Sequence, residues 1–284
     1  MKPIRLLTAA VLALVIVACT TVEGTGRKQL IFTSVGEENQ MGATAYQEVL
    51  KKEKHCTDAA AQAFVKRVGD RIAKVADPDG HHGFQWEFTL LESDTVNAFC
   101  LPGGKVAVYT GILPYCQNEA GLAAVMGHEI GHAIARHGGE RMTQATLTQA
   151  VLAGGVAVAQ AKGYSDETIQ MGAAAGGTLA NLGVILPFSR SHESEADYLG
   201  LKYMAAAGFD PHEAVAFWGR FAELTGHGGF IEKYTSTHPQ STDRARDLDA
   251  KMHEALALYN AEPVKSGAGE AVPAKYRNKP AAKK

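Results

Sequence analysis

Apolar residues follow a helical period over residues 37–76, with Met41 and Tyr46 among the positions that share one face. The period breaks around residues 55–58, and Asp58 is suited to cap the helix that follows. This pattern predicts two consecutive helices at the start of a globular domain.

The next segment alternates between apolar and polar side chains from residue 84 to residue 90, which is typical of a half-buried strand. Two shorter strand candidates lie around residues 98–99 and 105–110, and the Leu-Pro-Gly-Gly sequence between them must turn. These segments predict a small β-sheet.

The strongest helical pattern begins at Asn118 and Glu119 and continues to about His137, where Gly138 and Gly139 end it. Further helices are predicted over residues 191–206, 211–225 and 241–260. The fold class that this order of elements indicates is α+β and predominantly helical.

Two stretches, residues 145–161 and 168–186, are rich in Ala and Gly. Each also contains Thr, Gln, Asn or several Gly, and helices of this kind more often pack against their own protein than cross lipid. We therefore expect them to pack within the protein. The sequence leaves open whether they form a lid or touch a membrane.

The first residues have the composition of an export signal. An apolar run over residues 6–17 is shorter than the roughly 20 residues that span a bilayer. Residues 16–19, Ile-Val-Ala-Cys, resemble a bacterial lipobox, whereas an ordinary signal peptidase site needs a small residue where Ile16 stands. We predict a lipid anchor at Cys19, and Thr20 after it favours the outer membrane, on the periplasmic side.

The chain therefore divides into four predicted segments. Residues 1–18 are a lipoprotein signal peptide, and residues 19–36 are a lipidated N-terminus and tether. Residues 37–261 form the folded domain, and residues 262–284, with Pro, Gly, Ala and Lys, are predicted to be a disordered tail.

Charge and cysteine content narrow the class of protein. The 28 Lys and Arg residues balance 30 Asp and Glu residues, without a basic block in the body of the chain, so no nucleic-acid partner is expected. Lipidation of Cys19 would leave Cys56, Cys100 and Cys116, which permits one disulfide with one free thiol, or three buried thiols. The absence of a CxxC sequence argues against a cysteine zinc site.

Residues 128–132 read His-Glu-Ile-Gly-His and lie inside the strongest predicted helix. Four residues correspond to about 40° of rotation on an α-helix, so His128 and His132 project from one face and can bind one cation. Two imidazoles suit zinc, and Glu129 points to the side, where it can act on the attacking water. An HExxH sequence also arises by chance in about one chain in a hundred, but the helical context argues against chance.

A catalytic zinc site needs a third protein ligand. A metzincin would have Gly and His where this chain has Ala135 and Gly138, so that class is excluded. A gluzincin uses a carboxylate on a later helix, and residues 193–197, Glu-Ser-Glu-Ala-Asp, supply one. On this helix Glu193 can bind the metal while Asp197 accepts a hydrogen bond from Nδ1 of a ligand histidine. The alternative is that residues 193–197 form a charged helix face exposed to solvent.

Further stretches carry a more specific signal. They are residues 25–27 (Thr-Gly-Arg), 97–104 (Asn-Ala-Phe-Cys-Leu-Pro-Gly-Gly), 136–138, 189–190 and 238–239, together with Arg244. With the two motifs above, they resemble metallopeptidase family forty-eight, the gluzincins that include HtpX, the CAAX prenyl proteases and the periplasmic lipoproteins LoiP and BepA. The resemblance is closest to the short, LoiP-like lipoprotein members and covers nearly the whole chain from the tether to Arg244.

This resemblance implies a gluzincin fold with a small sheet beside the HExxH helix, one zinc ion per chain, and Glu193 as the third ligand. It also offers His238 as a catalytic group near the metal that donates to the developing oxyanion. Arg244 would orient His238 or a neighbouring carboxylate. Taken alone, a His-Pro pair is more typical of a turn.

Asn97, Ala98 and Phe99 form a candidate substrate-binding strand. An edge strand there can pair with an extended substrate, main chain to main chain, with broad tolerance of sequence. The alternative is an edge that the protein itself covers.

The sequence therefore predicts a zinc metalloendopeptidase of the bacterial cell envelope. The family resemblance connects it with quality control, with misfolded or unassembled envelope proteins as substrates. Two other functions stay open: a zinc hydrolase of a non-peptide substrate, such as an amidase, and a lipoprotein that keeps the fold as a chaperone or scaffold. An intact Glu129 argues against the scaffold, because binding alone would tolerate its loss.

Overall fold

The computed structural model describes residues 19–168, 170, 188–223, 232–238 and 243–278. The predicted signal peptide, residues 1–18, lies outside the described residues, and so does most of the second Ala- and Gly-rich stretch. The chain divides into two compact units, a smaller one of Met1–Ser34 with His137–Pro187 and a larger one of Val35–Arg136 with Phe188–Lys284.

The larger unit begins with two helices, as the sequence predicts. Helix α1 spans Val35–Lys52 and helix α2 spans Ala59–Ala76. Asp58 caps α2, because its carboxylate accepts hydrogen bonds from the backbone N–H groups of Ala60 and Ala61. The apolar face of α2 is buried in the main hydrophobic core.

A three-stranded sheet follows. Strand β3 spans Glu87–Leu91, β4 spans Ala98–Leu101 and β5 spans Lys105–Tyr109. The central strand β5 pairs parallel with β3 and antiparallel with β4. Strand β4 therefore lies at an edge of this sheet.

The helix that carries HExxH is buried along its whole length. The short helix α3, Leu113–Cys116, leads into helix α4, Glu119–Ile134. Asn118 caps α4 by accepting a hydrogen bond from the backbone N–H of Gly121. The sequence of α4 is apolar on nearly every face, which suits a helix at the centre of a domain.

Helix α4 ends at Ile134, before the predicted end at His137. Gly138 does not end it, because that residue lies inside the next helix, α5, which spans His137–Ala161. The break occurs at Arg136, whose φ of 56° is left-handed. The Arg136 guanidinium donates to the Glu38 carboxylate at 2.7 and 3.1 Å, so a contact far away in sequence stabilises this conformation.

The rest of the larger unit is helical. The helices are α6 (Arg190–Ala206), α7 (His212–Ala222), α8 (Glu232–Thr237), α9 (Arg244–Asp249) and α10 (Met252–Ala261). A turn at residues 250–251 divides the single helix predicted over residues 241–260. Phe217 and Phe221 of α7 are fully buried in the core that surrounds α4.

The segment after α10 was predicted to be a disordered tail, and through Asn278 that prediction is wrong. Val272 is fully buried and Tyr276 is 9% exposed. The backbone N–H groups of Glu119 and Ala120, at the start of α4, donate to carbonyls of this segment. Its polar composition indicated disorder, but tertiary contacts pair its backbone with other elements and bury Val272 and Tyr276. We call residues 262–278 the C-terminal strap.

The smaller unit contains an antiparallel hairpin of β1, Cys19–Thr21, and β2, Lys28–Leu30. The sequence predicted an irregular tether here, but strand pairing orders it. The Arg27 guanidinium donates to the Glu140 carboxylate of α5 at 2.8 and 3.2 Å, which fixes the hairpin against that helix. The first Ala- and Gly-rich stretch forms most of α5. Within the described residues, no helix combines the length and apolar character needed to cross a membrane.

The cysteines are all free thiols. Cys56 and Cys116 are buried, Cys100 is partly exposed and Cys19 is exposed. Of the two arrangements that the sequence left open, the structure has three unpaired thiols after Cys19.

Candidate metal centre

Three elements of the larger unit carry the predicted site residues. Helix α4 supplies His128, Glu129 and His132, and α6 supplies Glu193 and Asp197. His238 directly follows α8 and Arg244 begins α9. These seven residues are at most 9% exposed, so the structure brings all of them into one buried site.

Glycine lets α4 and α6 approach closely enough for the site to form. A Cβ at Gly200 would lie 2.6 Å from the backbone nitrogen of His128, and a Cβ at Gly127 would lie 2.8 Å from the Gly200 carbonyl oxygen. One turn further along α4, a Cβ at Gly131 would lie 3.0 Å from the carbonyl oxygen of Ala196. Sequence reasoning missed this contact, although small residues recur four apart on both helices.

The three predicted ligands point their donor atoms at one position. His128 Nε2 and His132 Nε2 are 3.1 Å apart. Glu193 places Oε2 3.5 Å from His128 Nε2 and Oε1 3.3 Å from His132 Nε2. Ligands about 2.0–2.1 Å from a tetrahedral ion lie about 3.3 Å from one another, so these distances fit a small divalent cation.

His238 is the fourth member of this cluster. Its Nδ1 lies 3.0 Å from Glu193 Oε1 and 3.4 Å from His128 Nε2. The donor atoms of all four residues lie within 4.8 Å of one another. His238 thus lies as close to the metal position as the predicted ligands.

The charges of the cluster also fit a cation. Burial alone would raise the pKa of Glu193, but its hydrogen bonds with His132 and His238 outweigh burial and the pKa is lowered. Glu193 Oε2 is buried and accepts no hydrogen bond from the described residues. Arg244 Nη1 is 3.8 Å from this oxygen, which is too far for a hydrogen bond. A buried, ionised oxygen without a donor is unfavourable unless a cation binds to it directly, so the residues present fit a metal ion.

Glu129 lies beside this cluster. Its Oε1 is 3.7 Å from His238 Nε2 and has no hydrogen-bond partner among the described residues. Burial raises the pKa of Glu129, and the nearby His238 and His128 oppose that effect. A carboxylate with a raised pKa next to a cation site can accept a proton and release it again.

Asp197 and Arg244 lie behind His128. His128 Nδ1 is 2.8 Å from Asp197 Oδ1 and 2.9 Å from Arg244 Nη2. In the tautomer protonated at Nδ1, this nitrogen donates to the carboxylate and Nε2 can bind a metal. The Arg244 guanidinium donates to the same Asp197 oxygen. Burial would raise the pKa of Asp197, but Arg244 and His128 outweigh it and the pKa is lowered.

Aromatic side chains that sequence reasoning missed enclose the imidazoles. Phe188 stacks on His132 with ring centroids 4.0 Å apart, and Tyr234 stacks on His238 at 4.5 Å. The Arg244 guanidinium lies 3.2 Å from the centroid of Trp218, which also contacts His128 edge-on. Of these aromatic residues, Tyr234 could have been found from the sequence, because it precedes His238 by one helical turn. These rings restrict the orientation of the imidazoles.

The strand candidate lies at the sheet edge, as expected. Asn97 and Ala98 are buried and Phe99 is partly exposed. The Asn97 carbonyl accepts from the Tyr109 N–H, and antiparallel pairing alternates, so the backbone groups of Ala98 and Cys100 point away from β5. The helix α4, which carries Glu129, packs against β4. Burial and the Glu129 carboxylate raise the pKa of the Cys100 thiol.

Comparison with known proteins agrees with this geometry. The chain is 37% identical over 236 residues to the mitochondrial metalloendopeptidase OMA1 of Schizosaccharomyces pombe, covering 81% of this chain and 65% of that protein. It is 28% identical over 225 residues to the β-barrel assembly-enhancing protease of Escherichia coli, covering 78% of this chain and 45% of that protein. It thus spans under two thirds of either relative.

The model of a peptidase family, described as peptidase family M48, matches residues 59–252. These residues include every described member of the buried site, from α4 to Arg244, and make up more than half of the chain. The chain therefore belongs to peptidase family M48.

Proposed function

We propose that this protein is a zinc-dependent endopeptidase of the bacterial cell envelope that cleaves misfolded or unassembled envelope proteins. The observation that carries the proposal is the spacing of His128 Nε2, His132 Nε2 and Glu193, which matches a tetrahedral site with Glu129 beside it. Two imidazoles and one carboxylate are a ligand set that catalytic zinc prefers. Zinc bound there would polarise the scissile carbonyl and acidify the attacking water.

Each side chain then has a defined role. Glu129 takes the proton of the attacking water and passes it to the leaving amine. Asp197 holds the Nδ1 proton of His128, which fixes the tautomer and the ring orientation. Arg244 neutralises Asp197 and supports it. His238, next to Glu129, donates to the oxyanion, because the carboxylates of Glu129 and Glu193 outweigh burial and raise its pKa.

Strand β4 lies at a sheet edge and no other described segment pairs with its outer side, which supports binding of an extended substrate there. The outward backbone groups of Ala98 and Cys100 can pair with a peptide main chain beside Glu129, as in other strand-addition complexes. Recognition through the main chain does not depend on substrate side chains. It requires an unpaired strand, which folded proteins rarely offer and misfolded proteins expose.

Localisation rests on the lipobox resemblance at Cys19 and on one relative. The name of the Escherichia coli protein refers to β-barrel assembly, whereas the Schizosaccharomyces pombe protein is named as mitochondrial. The signal and the lipobox favour the bacterial envelope for this chain. We propose a lipid anchor at Cys19 in the outer membrane, facing the periplasm. We expect the wild type to incorporate labelled palmitate and to be found in the outer-membrane fraction. The Cys19→Ser variant should not incorporate the label.

The central test is casein degradation by the purified protein with its zinc content measured. Glu129→Gln should keep about one zinc per chain and lose about 10²- to 10⁴-fold in rate. Glu193→Gln should lose both zinc and activity. Glu195→Gln is the matched control, because Glu195 is buried on the same helix but outside the donor cluster, so it should keep both.

Substrate choice is tested with one protein in folded and unfolded forms. Faster cleavage of the unfolded form supports quality control, whereas efficient cleavage of folded forms contradicts it. Zinc binding without cleavage of any unfolded substrate would instead favour a chaperone or scaffold.

A further inference from the structure

Helix α5 carries an uncharged surface that the site does not use. Residues 142–161 contain no charged side chain. From Thr146 to Ala161, nearly every residue is exposed or only partly buried. Surface helices normally carry charges on the face away from the core, so this composition indicates surroundings other than bulk water.

The most apolar part of this surface is a stripe. Leu147, Val151 and Val158 are 41%, 72% and 55% exposed, and helical geometry places them within about 40° of one another. Gly154 lies in the same stripe, and a Cβ added to it would meet nothing within 4 Å. On the opposite side stand Gln149 and Gln160, together with the partly buried Val156. We call Leu147, Val151, Gly154 and Val158 the α5 stripe.

Within the smaller unit, the chain start is attached to this helix. The apolar run over residues 6–17 directly precedes the described chain, which begins at Cys19 in β1. The hairpin is joined to the first turns of α5 by the Arg27 to Glu140 ion pair and by the Phe32 N–H, which donates to Thr143 Oγ1 at 2.9 Å. Phe32 is itself 40% exposed. The hairpin that begins at the proposed anchor is therefore attached to the helix that bears the stripe.

We propose that the α5 stripe lies against the surface of the lipid bilayer, with the helix parallel to the membrane plane. This inference rests on the anchor at Cys19 that the proposed function includes. A helix with an apolar stripe opposite polar residues binds at a membrane interface by burying the stripe at the level of the headgroups and upper acyl chains. Arg141 and Lys162 flank the uncharged stretch, and their long side chains can reach phosphate headgroups.

The composition favours lipid over a protein partner. Protein interfaces are enriched in aromatic residues, Met and Arg at their centres. The α5 stripe consists only of aliphatic residues and glycine. Lipid contact at α5 would add a second attachment beside the acyl chains, which fixes the orientation of the unit as well as its location.

The test uses the unlipidated protein, residues 19–284 with Cys19→Ser, in flotation with vesicles of phosphatidylethanolamine and phosphatidylglycerol. The protein should float with the vesicles, and the double variant Leu147→Asp with Val151→Asp should reduce the bound fraction at least tenfold. The double variant Gln149→Asp with Gln160→Asp, on the opposite side, adds the same two charges and should stay within about twofold of the parent. Val151→Trp should shift its fluorescence to the blue on vesicles, and Gln149→Trp should not.

Equal binding of both Asp variants, or no vesicle binding by the parent, would overturn the inference. So would concentration-dependent dimers, measured by light scattering, that the Leu147 and Val151 substitutions abolish, because a second copy would then occupy the stripe. Casein cleavage in solution separates this inference from the proposed function. If the parent protein does not cleave casein, the proposed peptidase function is refuted. Vesicle binding tests only the proposed contact between the α5 stripe and the membrane.

Discussion

The contact between Gly127 and Gly200 offers a test of how the fold builds the metal site. In Gly200→Ala, the new Cβ would lie 2.6 Å from the His128 nitrogen and 2.7 Å from the Gly127 carbonyl carbon. Unbonded carbon atoms prefer about 3.5–4.0 Å, so α4 and α6 must separate by about 1 Å. Both obstructing atoms belong to helix backbone and cannot rotate away.

The separation has two consequences of different size. Overpacking costs about 1–3 kcal/mol, and the better helix propensity of Ala returns up to about 1 kcal/mol, so stability should fall by about 1–2 kcal/mol. Zinc affinity should fall more. Glu193 moves with α6 while both histidines stay on α4, and metal sites tolerate only about 0.2 Å in ligand distance. We expect at least a tenfold loss of affinity.

Zinc affinity is measured by competition with a chromogenic chelator, and stability by urea unfolding. Gly219→Ala is the matched control, because Gly219 is also helical but a Cβ there meets nothing within 4 Å. It should gain up to about 1 kcal/mol and keep its zinc affinity. If Gly200→Ala behaves like Gly219→Ala, close helix approach does not set the ligand geometry and the reasoning is refuted.

Three further predictions follow from the site and the strap. Asp197→Asn should lower zinc affinity about 10- to 100-fold, because the amide orients His128 poorly; an unchanged chelator competition curve would contradict this. Ending the chain after Ala261 removes buried Val272 and Tyr276 and should cost about 3–5 kcal/mol in urea unfolding, whereas removing only residues 279–284 serves as the control. Without metal, the pKa values of Glu129 and His238 are raised in the folded state, so the folded protein binds more protons than the unfolded protein. The stability that these two groups contribute is therefore complete at acidic pH and is lost as pH rises through their folded pKa values. The Tm of chelator-treated protein should therefore fall between pH 5.5 and 8, and a rise would refute this.

Features that depend on local geometry could be read from the sequence. The spacing of His128 and His132 places both on one helix face whatever the rest of the fold does. Asp58 caps its helix through the next backbone N–H groups. Glu193 and Asp197 share a face for the same reason, and the motifs around them identified the family.

Features that depend on distant partners could not be read in this way. The glycines after α4 indicated its end, but the chain breaks at Arg136, which Glu38 holds from another helix. Polar composition indicated a disordered tail, yet Val272 is buried because distant elements enclose it. Neither outcome follows from the neighbours of the residue in sequence.

The sequence by itself determined which side chains can bind the metal and move the proton, because helix periodicity fixes the direction of residues four apart. Only the tertiary structure decided that these side chains meet. Gly127 and Gly200 allow two helices to touch at the distance that the ligands require. Phe188, Trp218 and Tyr234 then enclose the imidazoles from three separate segments. Such contacts depend on the packing of elements far apart in the chain, which no local pattern encodes.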